Sequence, residues 1–279
     1  MLMNQIKEDW CDVFLHIDKK SSLNPENLLN KLDFKNVYFT KKRHSVNWGS
    51  YSTVEAIFEL LELVRETSVQ KNEKYDRIIF LSGQDFPIAN NKNIYSFFEN
   101  NKDKEFMDLR KIEKKTPFYR RINNVRIYSW LHSENKTKRV LARIVKNIPR
   151  RYKQEIDYYY GSGWFNITYS LLEYLLSLND SENSLLKYFK LASCPDESLF
   201  HTLLMDSPFK TNLINDNLRY IIFPEPNVGN PLILKENDFE AIVASGKLFA
   251  RKFDIQEDGI IIEKLKEMLE ISELKTISI

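Results

Sequence analysis

The stretch Asp76-Arg77-Ile78-Ile79-Phe80-Leu81 constrains this chain most, because it is a continuous apolar run that stops at Ser82-Gly83-Gln84-Asp85-Phe86-Pro87. A run with no polar face to offer water predicts a strand in the middle of a sheet covered on both sides. Polar groups just past the carboxyl end of such a strand are where open α/β sheets bind ligands. The flanking segments alternate in the same way. Asp12-Val13-Phe14-Leu15-His16-Ile17-Asp18 reads as a buried strand, Asn24-Pro25-Glu26 as the N-cap and first-turn proline of a helix to about Leu32, and Val37-Tyr38-Phe39-Thr40 as a second strand. Ser52 and Glu55 form a capping-box pattern ahead of Val54, Ile57, Phe58, Leu61 and Val64, the apolar face of a long helix. A helix near Asn93 to Glu99 and a strand near Glu105 to Leu109 continue the series. The pattern predicts an α/β fold with a mostly parallel central sheet and helices on both faces.

With 279 residues the chain can bury a substantial core, and no repeat or linker argues for more than one domain, 1–279. Two cysteines, Cys11 and Cys194, offer no disulfide framework, so a reducing cytosol is the expected compartment. No apolar run approaches the ~20 residues of a membrane span, and no basic-then-apolar leader opens the chain. Net charge is only +2, yet Arg110 to Lys153 holds fifteen Lys or Arg against two acids, while the remainder holds 26 basic and 37 acidic residues. That sector is expected to meet anions. Within it, Lys138 to Ile148 sets Val140, Leu141, Ile144, Val145 and Ile148 on one side of a helix and Lys138, Arg139, Arg143 and Lys146 on the other. Such a helix either lies on an anionic membrane surface or docks on the core and shows its charges to water. The absence of a recognised nucleic-acid module and the small total charge argue against a nucleic-acid partner.

Ser193-Cys194-Pro195-Asp196-Glu197-Ser198 turns a proline-broken loop into a short helix whose stripe is Leu199, Leu203 and Leu204. Asp196 suits its N-cap, and Glu197 is the candidate general base, kept ionised by the helix N-terminus. Other chemistries lack their residues. Gly161-Ser162-Gly163 lacks the third glycine of a dinucleotide fingerprint, Gly246-Lys247 lacks the upstream glycine of a P-loop, and no serine-hydrolase elbow occurs. His16, His44, His132 and His201 are scattered and show no zinc spacing with the cysteines. What remains is a sheet with polar strand ends, one glutamate, the cation pair Arg251-Lys252, and Trp48 and Trp164, which could stack on sugar rings. These pieces suit displacement of a diphosphate.

Six blocks then carry a specific resemblance: His16-Ile17-Asp18-Lys19-Lys20-Ser21, Trp48-Gly49-Ser50, Leu81 to Ile88, Gly161-Ser162-Gly163-Trp164-Phe165, Pro195-Asp196-Glu197 and Phe249-Ala250-Arg251-Lys252-Phe253. In this order, over about residues 12 to 254, they resemble the core-2/I-branching N-acetylglucosaminyltransferase and peptide O-xylosyltransferase family. The resemblance implies a Rossmann-like glycosyltransferase fold of the A type and inverting transfer from a UDP-sugar to a glycan hydroxyl. It implies neither cofactor nor divalent metal, since the family lacks an Asp-x-Asp motif and this chain has Ser82-Gly83-Gln84-Asp85 at that strand end. By the same match Glu197 deprotonates the acceptor, and Arg251 and Lys252 neutralise the departing UDP. His16, Asp18 and Asp85 fall on the nucleotide side, and Trp164 and Asp196 on the donor-sugar and acceptor side.

Family members usually carry an additional strand ahead of the segment matching Asp12 to Asp18; this chain is expected to lack it, opening at Met1-Leu2-Met3 within what looks like the next helix. The animal enzymes are membrane-anchored and disulfide-bonded, so the chain is more similar to cytoplasmic bacterial members that build surface polysaccharides. The expected acceptor is a growing polysaccharide or lipid-linked oligosaccharide, with peripheral contact to the inner face of an anionic membrane. N-acetylglucosamine is the first-choice donor sugar, with xylose the alternative, and a non-catalytic carbohydrate-binding protein that kept the fold is the competing class.

Overall fold

Successive side chains of a strand face opposite ways, and in the strand Glu105–Met107 Phe106 and Met107 join different apolar clusters. On the Met107 side the cluster is filled largely from the helices Ser52–Lys71, Tyr169–Asp180 and Leu199–Met205, through side chains such as Ile57, Leu61, Leu172 and Leu203, with Leu185, Leu186 and Phe189 of the helix Ser184–Phe189 and Ile122 added. On the Phe106 side lie Ile94 and Phe98 of the helix Asn91–Glu99, with Leu218 and Phe249. The expected helices on both faces are therefore present. Residues 2–30, 32, 36–131, 133–146, 148–181, 183–225 and 230–277 are described in this computed structural model, so His132 and the predicted helix end beyond Asn30, apart from Leu32, fall outside it.

The central sheet runs in the order Arg77–Ile79, Phe165–Thr168, Glu105–Met107, Leu213–Ile214. A second sheet orders Arg219–Ile221, Phe249–Arg251 and Asp85–Pro87, and Val13–Leu15 pairs with Val37–Phe39. The α/β class holds, but the pairing is mixed rather than mostly parallel. Among the described pairings three are parallel and four antiparallel. The apolar runs report burial on both faces and carry no direction: Phe165–Thr168 is buried throughout, yet it is antiparallel to both its neighbours. Val13–Leu15 is the first strand among the described residues, with Met3 and Ile6, in and just after the short helix Leu2–Gln5, packed against Val13 and Val37.

Local capping follows the sequence in one place and departs from it in another. Asn24 accepts the N–H of Glu26 at 2.7 Å and starts the helix Pro25–Leu29 as its residue type predicts. Ser52 does not cap the long helix. Its hydroxyl instead accepts the N–H of Asn47 at 2.9 Å and bonds Ser50 Oγ, which ties down the loop that carries Trp48.

The basic helix, Lys136–Val145, also differs from the docked alternative. Ala142 is its buried residue, while Val140, Leu141 and Ile144 stand 52%, 43% and 67% exposed. Among the described residues no helix is long and apolar enough to cross a membrane. Both cysteines are free thiols, each pushed up to about 11, chiefly by burial.

Candidate active site

Pro195–Glu197 form a single 3-10 turn, entered through Cys194 in the left-handed region at φ 47° and followed by the helix Leu199–Met205, buried at its first six positions. Ser198, not Asp196, precedes that helix, and its side chain makes no capping bond. The Asp196 side chain is turned inward. Its Oδ1 is enclosed without a hydrogen-bond partner among the described residues, and burial, followed by the charge of Glu197, pushes the carboxyl up to about 7. Glu197 faces outward, about a third exposed, and its Oε2 accepts from Arg121 Nη1 at 3.0 Å. Burial raises its pKa while the charge and hydrogen bond of Arg121, on the helix Pro117–Asn123, lower it. A helix N-terminus is thus not what favours the ionised form; an arginine neighbour does that work. Arg121 also holds the turn through its backbone, since its carbonyl accepts the N–H of Ser193 at 2.8 Å.

The segment Gly161–Trp164, leading into the strand Phe165–Thr168, touches both halves of the site. Gly161 N–H donates to the carbonyl of Glu197 at 3.0 Å. A Cβ on Gly161 would stand 1.8 Å from the Asp108 carbonyl oxygen and 2.8 Å from His201 Nε2, so only glycine passes here. Gly163 lies against Asp196, whose Oδ2 would be 3.5 Å from an added Cβ. Trp164 turns the other way, with the Arg251 guanidinium carbon 3.9 Å from its ring centroid and Phe80 stacked beside it. A polar web fixes the segment: Ser162 Oγ donates to Asp108, Asn217 Nδ2 bonds both Asp108 Oδ1 at 2.9 Å and Ser162 Oγ at 2.8 Å, and His201 Nε2 lies 3.0 Å from the Ser162 carbonyl. His201 is wholly buried and pushed down to about 4, so the neutral ring serves structure, in line with the expectation for the scattered histidines.

The cationic half is drier. Arg251 pairs in register with Asp85 across antiparallel strands, and its Nη1 stands 3.7 Å from Asp85 Oδ2. That oxygen already accepts from Ser82 N–H at 2.7 Å and Ser82 Oγ at 2.5 Å, and Asp85 is 0% exposed. A second arginine, Arg219, is buried nearby. It donates to Asn166 Oδ1 at 2.9 Å and the Phe80 carbonyl at 2.7 Å, and burial pushes it down to about 10 despite the attraction of Asp85. Two buried guanidinium groups thus oppose one buried carboxylate. Nε and Nη1 of Arg251 and Nε of Arg219 have no hydrogen-bond partner among the described residues. Lys252 follows Arg251, half-buried, its ammonium without a hydrogen bond or ion pair among the described residues.

His16 and Asp18 lie past the end of the first strand, and among the described residues neither bonds to Glu197 or Arg251. His16 Nε2 accepts the N–H of His44 at 2.9 Å, and burial, then His44, lowers its pKa. Asp18 accepts the N–H of Lys20 at 2.8 Å, and Arg43 clamps the loop by donating to the carbonyls of Ile17, Asp18 and Ser21. Trp48, 73% exposed, precedes Gly49, whose carbonyl accepts the N–H of Cys194 at 2.9 Å; the aromatic therefore stands beside the carboxylate turn.

Sequence reasoning missed Arg121 and Arg219. Arg121 is one of fifteen basic residues in its sector and carries no local mark, whereas Arg219, a charge opening the late strand before Tyr220-Ile221-Ile222, was a readable sign of a buried cation. Among the described residues no three His, Cys, Asp or Glu side chains gather as a metal site.

This arrangement sets an outward carboxylate, an aromatic bridge and spare guanidinium donors at the ends of a mixed α/β sheet, consistent with a glycosyltransferase A-type fold. A family profile described as Core-2/I-Branching enzyme matches residues 12–243, and the chain belongs to that family. Arg251 and Lys252 lie beyond the matched span. The chain is 28% identical over 213 residues to Xylosyltransferase 2 of Canis lupus familiaris, covering 74% of this chain and 22% of that protein. It is 26% identical over 285 residues to Xylosyltransferase sqv-6 of Caenorhabditis elegans (93% and 33%), and 25% identical over 213 residues to Xylosyltransferase 1 of Homo sapiens (74% and 20%). The chain thus spans between about a fifth and a third of the length of these relatives.

Proposed function

We propose that the chain is a single catalytic domain that transfers a sugar, with inversion, from a UDP-sugar to a glycan hydroxyl, using neither cofactor nor divalent metal. The observation that carries this reading is the contact of Gly161–Trp164 with Glu197 at one end and Arg251 at the other, the latter with unpartnered donors. Buried donors without partners are costly, and a diphosphate would satisfy them. In the reaction the Glu197 carboxylate takes the acceptor hydroxyl proton, and the freed oxygen attacks the anomeric carbon. The bond from that carbon to the β-phosphate oxygen breaks, its electron pair leaving with UDP. Arg251 and Lys252 meet the charge that develops there, backed by Arg219. Asp85, wholly enclosed, serves the donor by orienting Arg251. His16 and Asp18 take the nucleotide side, while Trp164 and Asp196 shape the sugar pocket.

Glu197→Gln tests the assigned base. Turnover should fall by about 10²–10⁴ while UDP affinity by calorimetry stays within about twofold; an active Glu197→Gln enzyme refutes the role. A folded wild-type chain that binds no UDP or UDP-sugar would favour the non-catalytic class. For the donor, N-acetylglucosamine remains our first reading of the Pro195-Asp196-Glu197 block. UDP-xylose is the second, favoured by the names of the relatives above. UDP release from each sugar nucleotide decides between them. The acceptor we propose is a growing bacterial surface polysaccharide or lipid-linked oligosaccharide reached at the cytoplasmic membrane face, supported by the concentration of positive charge between Arg110 and Lys153.

A further inference from the structure

The basic sector is not uniformly a surface charge. Arg121 is bound to Glu197, Arg150 donates to the carbonyls of Tyr188 and Ile122, and Arg139 donates to those of Ser133 and Glu134. These arginines hold the fold together. On the outer face of the helix Lys136–Val145, by contrast, Lys136, Lys138 and Arg143 are exposed and pair with no carboxylate among the described residues, as is Lys146 at its end. At about 100° per residue, Val140, Ile144 and Leu141 occupy one arc of the exposed side. Lys136 and Arg143 border that arc on one edge and Lys138 on the other, with buried Ala142 opposite. Ile148, just past the helix, is also 49% exposed, and from Asn135 to Gln154 there are eight basic residues and no acid.

We infer that this helix is an interfacial one that lies flat on an anionic lipid surface, its Val140-Leu141-Ile144 strip entering the acyl boundary and its flanking lysines and arginine meeting lipid phosphates. The charge pattern selects this occupant. A nucleic acid would use the cations and leave the central apolar strip wet, while a second copy of the chain would set the same cluster of unpaired positive charges against itself. Interfacial helices need both contributions, buried apolar area and cations facing anionic headgroups. The link to acceptor delivery rests on the proposed transfer reaction; the lipid contact does not.

The test is sedimentation of the whole chain with phosphatidylcholine vesicles, with and without phosphatidylglycerol, alongside UDP release in solution. Two variants are compared: Lys136→Gln/Lys138→Gln/Arg143→Gln/Lys146→Gln and Val140→Gln/Leu141→Gln/Ile144→Gln. Glutamine is a good helix former and every position is exposed, so both should fold. Wild type should bind the anionic vesicles and not the neutral ones. Removing the cations should weaken binding by about fivefold per residue, removing the strip by about tenfold or more, with UDP release unchanged in both. Failure of wild type to bind, equal binding to neutral vesicles, undiminished binding by the apolar variant, or an oligomer that this variant dissolves would each overturn the inference. Loss of UDP release in wild type with vesicle binding intact would instead count against the transfer reaction alone.

Discussion

The two halves of the site differ in their access to water. Glu197 is partly exposed, shares its carboxylate with one half-buried arginine and stands beside the open Trp48 loop. Arg251 and Arg219 are buried, the first paired with the enclosed Asp85, and both hold nitrogens without a hydrogen-bond partner among the described residues. A base must meet an incoming hydroxyl and hand its proton onward, which suits the open side. A developing phosphate charge is stabilised most where the dielectric is low, which suits the closed side. The rigid Gly161–Trp164 segment joins the two environments.

The largest effect should come from the dry half. Arg251→Lys keeps a positive charge but loses the planar fork and its stack on Trp164, and should reduce kcat by about 10²–10³. Equal turnover by wild type and Arg251→Lys would break the contrast. Next, Gly161→Ala must displace either the Asp108 carbonyl or the segment itself, so stability should fall by about 1–3 kcal/mol in a denaturant titration, together with turnover. An alanine tolerated without loss would show that the bridge is soft.

The open half should respond to pH instead. Arg121→Gln removes the charge that lowers the pKa of Glu197, so the acidic limb of kcat/KM moves to higher pH and the rate on that limb falls. Because both side chains remain partly open to water, which screens the pair, stability should change by about 1 kcal/mol or less. The last effect is read in stability and not in rate, and concerns Asp196. Its folded pKa, about 7, lies above that of an unfolded aspartate, so the folded chain binds the extra proton and its stability falls as pH rises from about 4 through about 7. Asp196→Asn should flatten that part of the Tm-against-pH curve; an unchanged slope would mean the carboxyl is not the one titrating.

How far the sequence leads depends on whether a feature is local. The strands around Val13 and Val37, the proline-started helix at Pro25, the apolar face from Val54 to Val64 and the helical stripe of Leu199, Leu203 and Leu204 all follow from neighbouring residues, and the structure has them. Strand direction was not legible, because an apolar run such as Phe165-Asn166-Ile167 looks alike in parallel and antiparallel company. The Asp196 cap failed for a similar reason: its residue type fits either a helix start or an inward turn, and the left-handed Cys194 selects the turn. Arg121 reaches Glu197 across 76 positions, a pairing no local pattern announces.

The most direct measurement is a crystal structure of the chain with UDP bound in the presence of a chelator. The diphosphate should accept from the Arg251 guanidinium and from Lys252, with the Glu197 carboxylate facing the position of the transferred sugar. A diphosphate seated elsewhere, for example on the Lys41-Lys42-Arg43-His44 loop, or one held only when a divalent ion is supplied, would contradict the account.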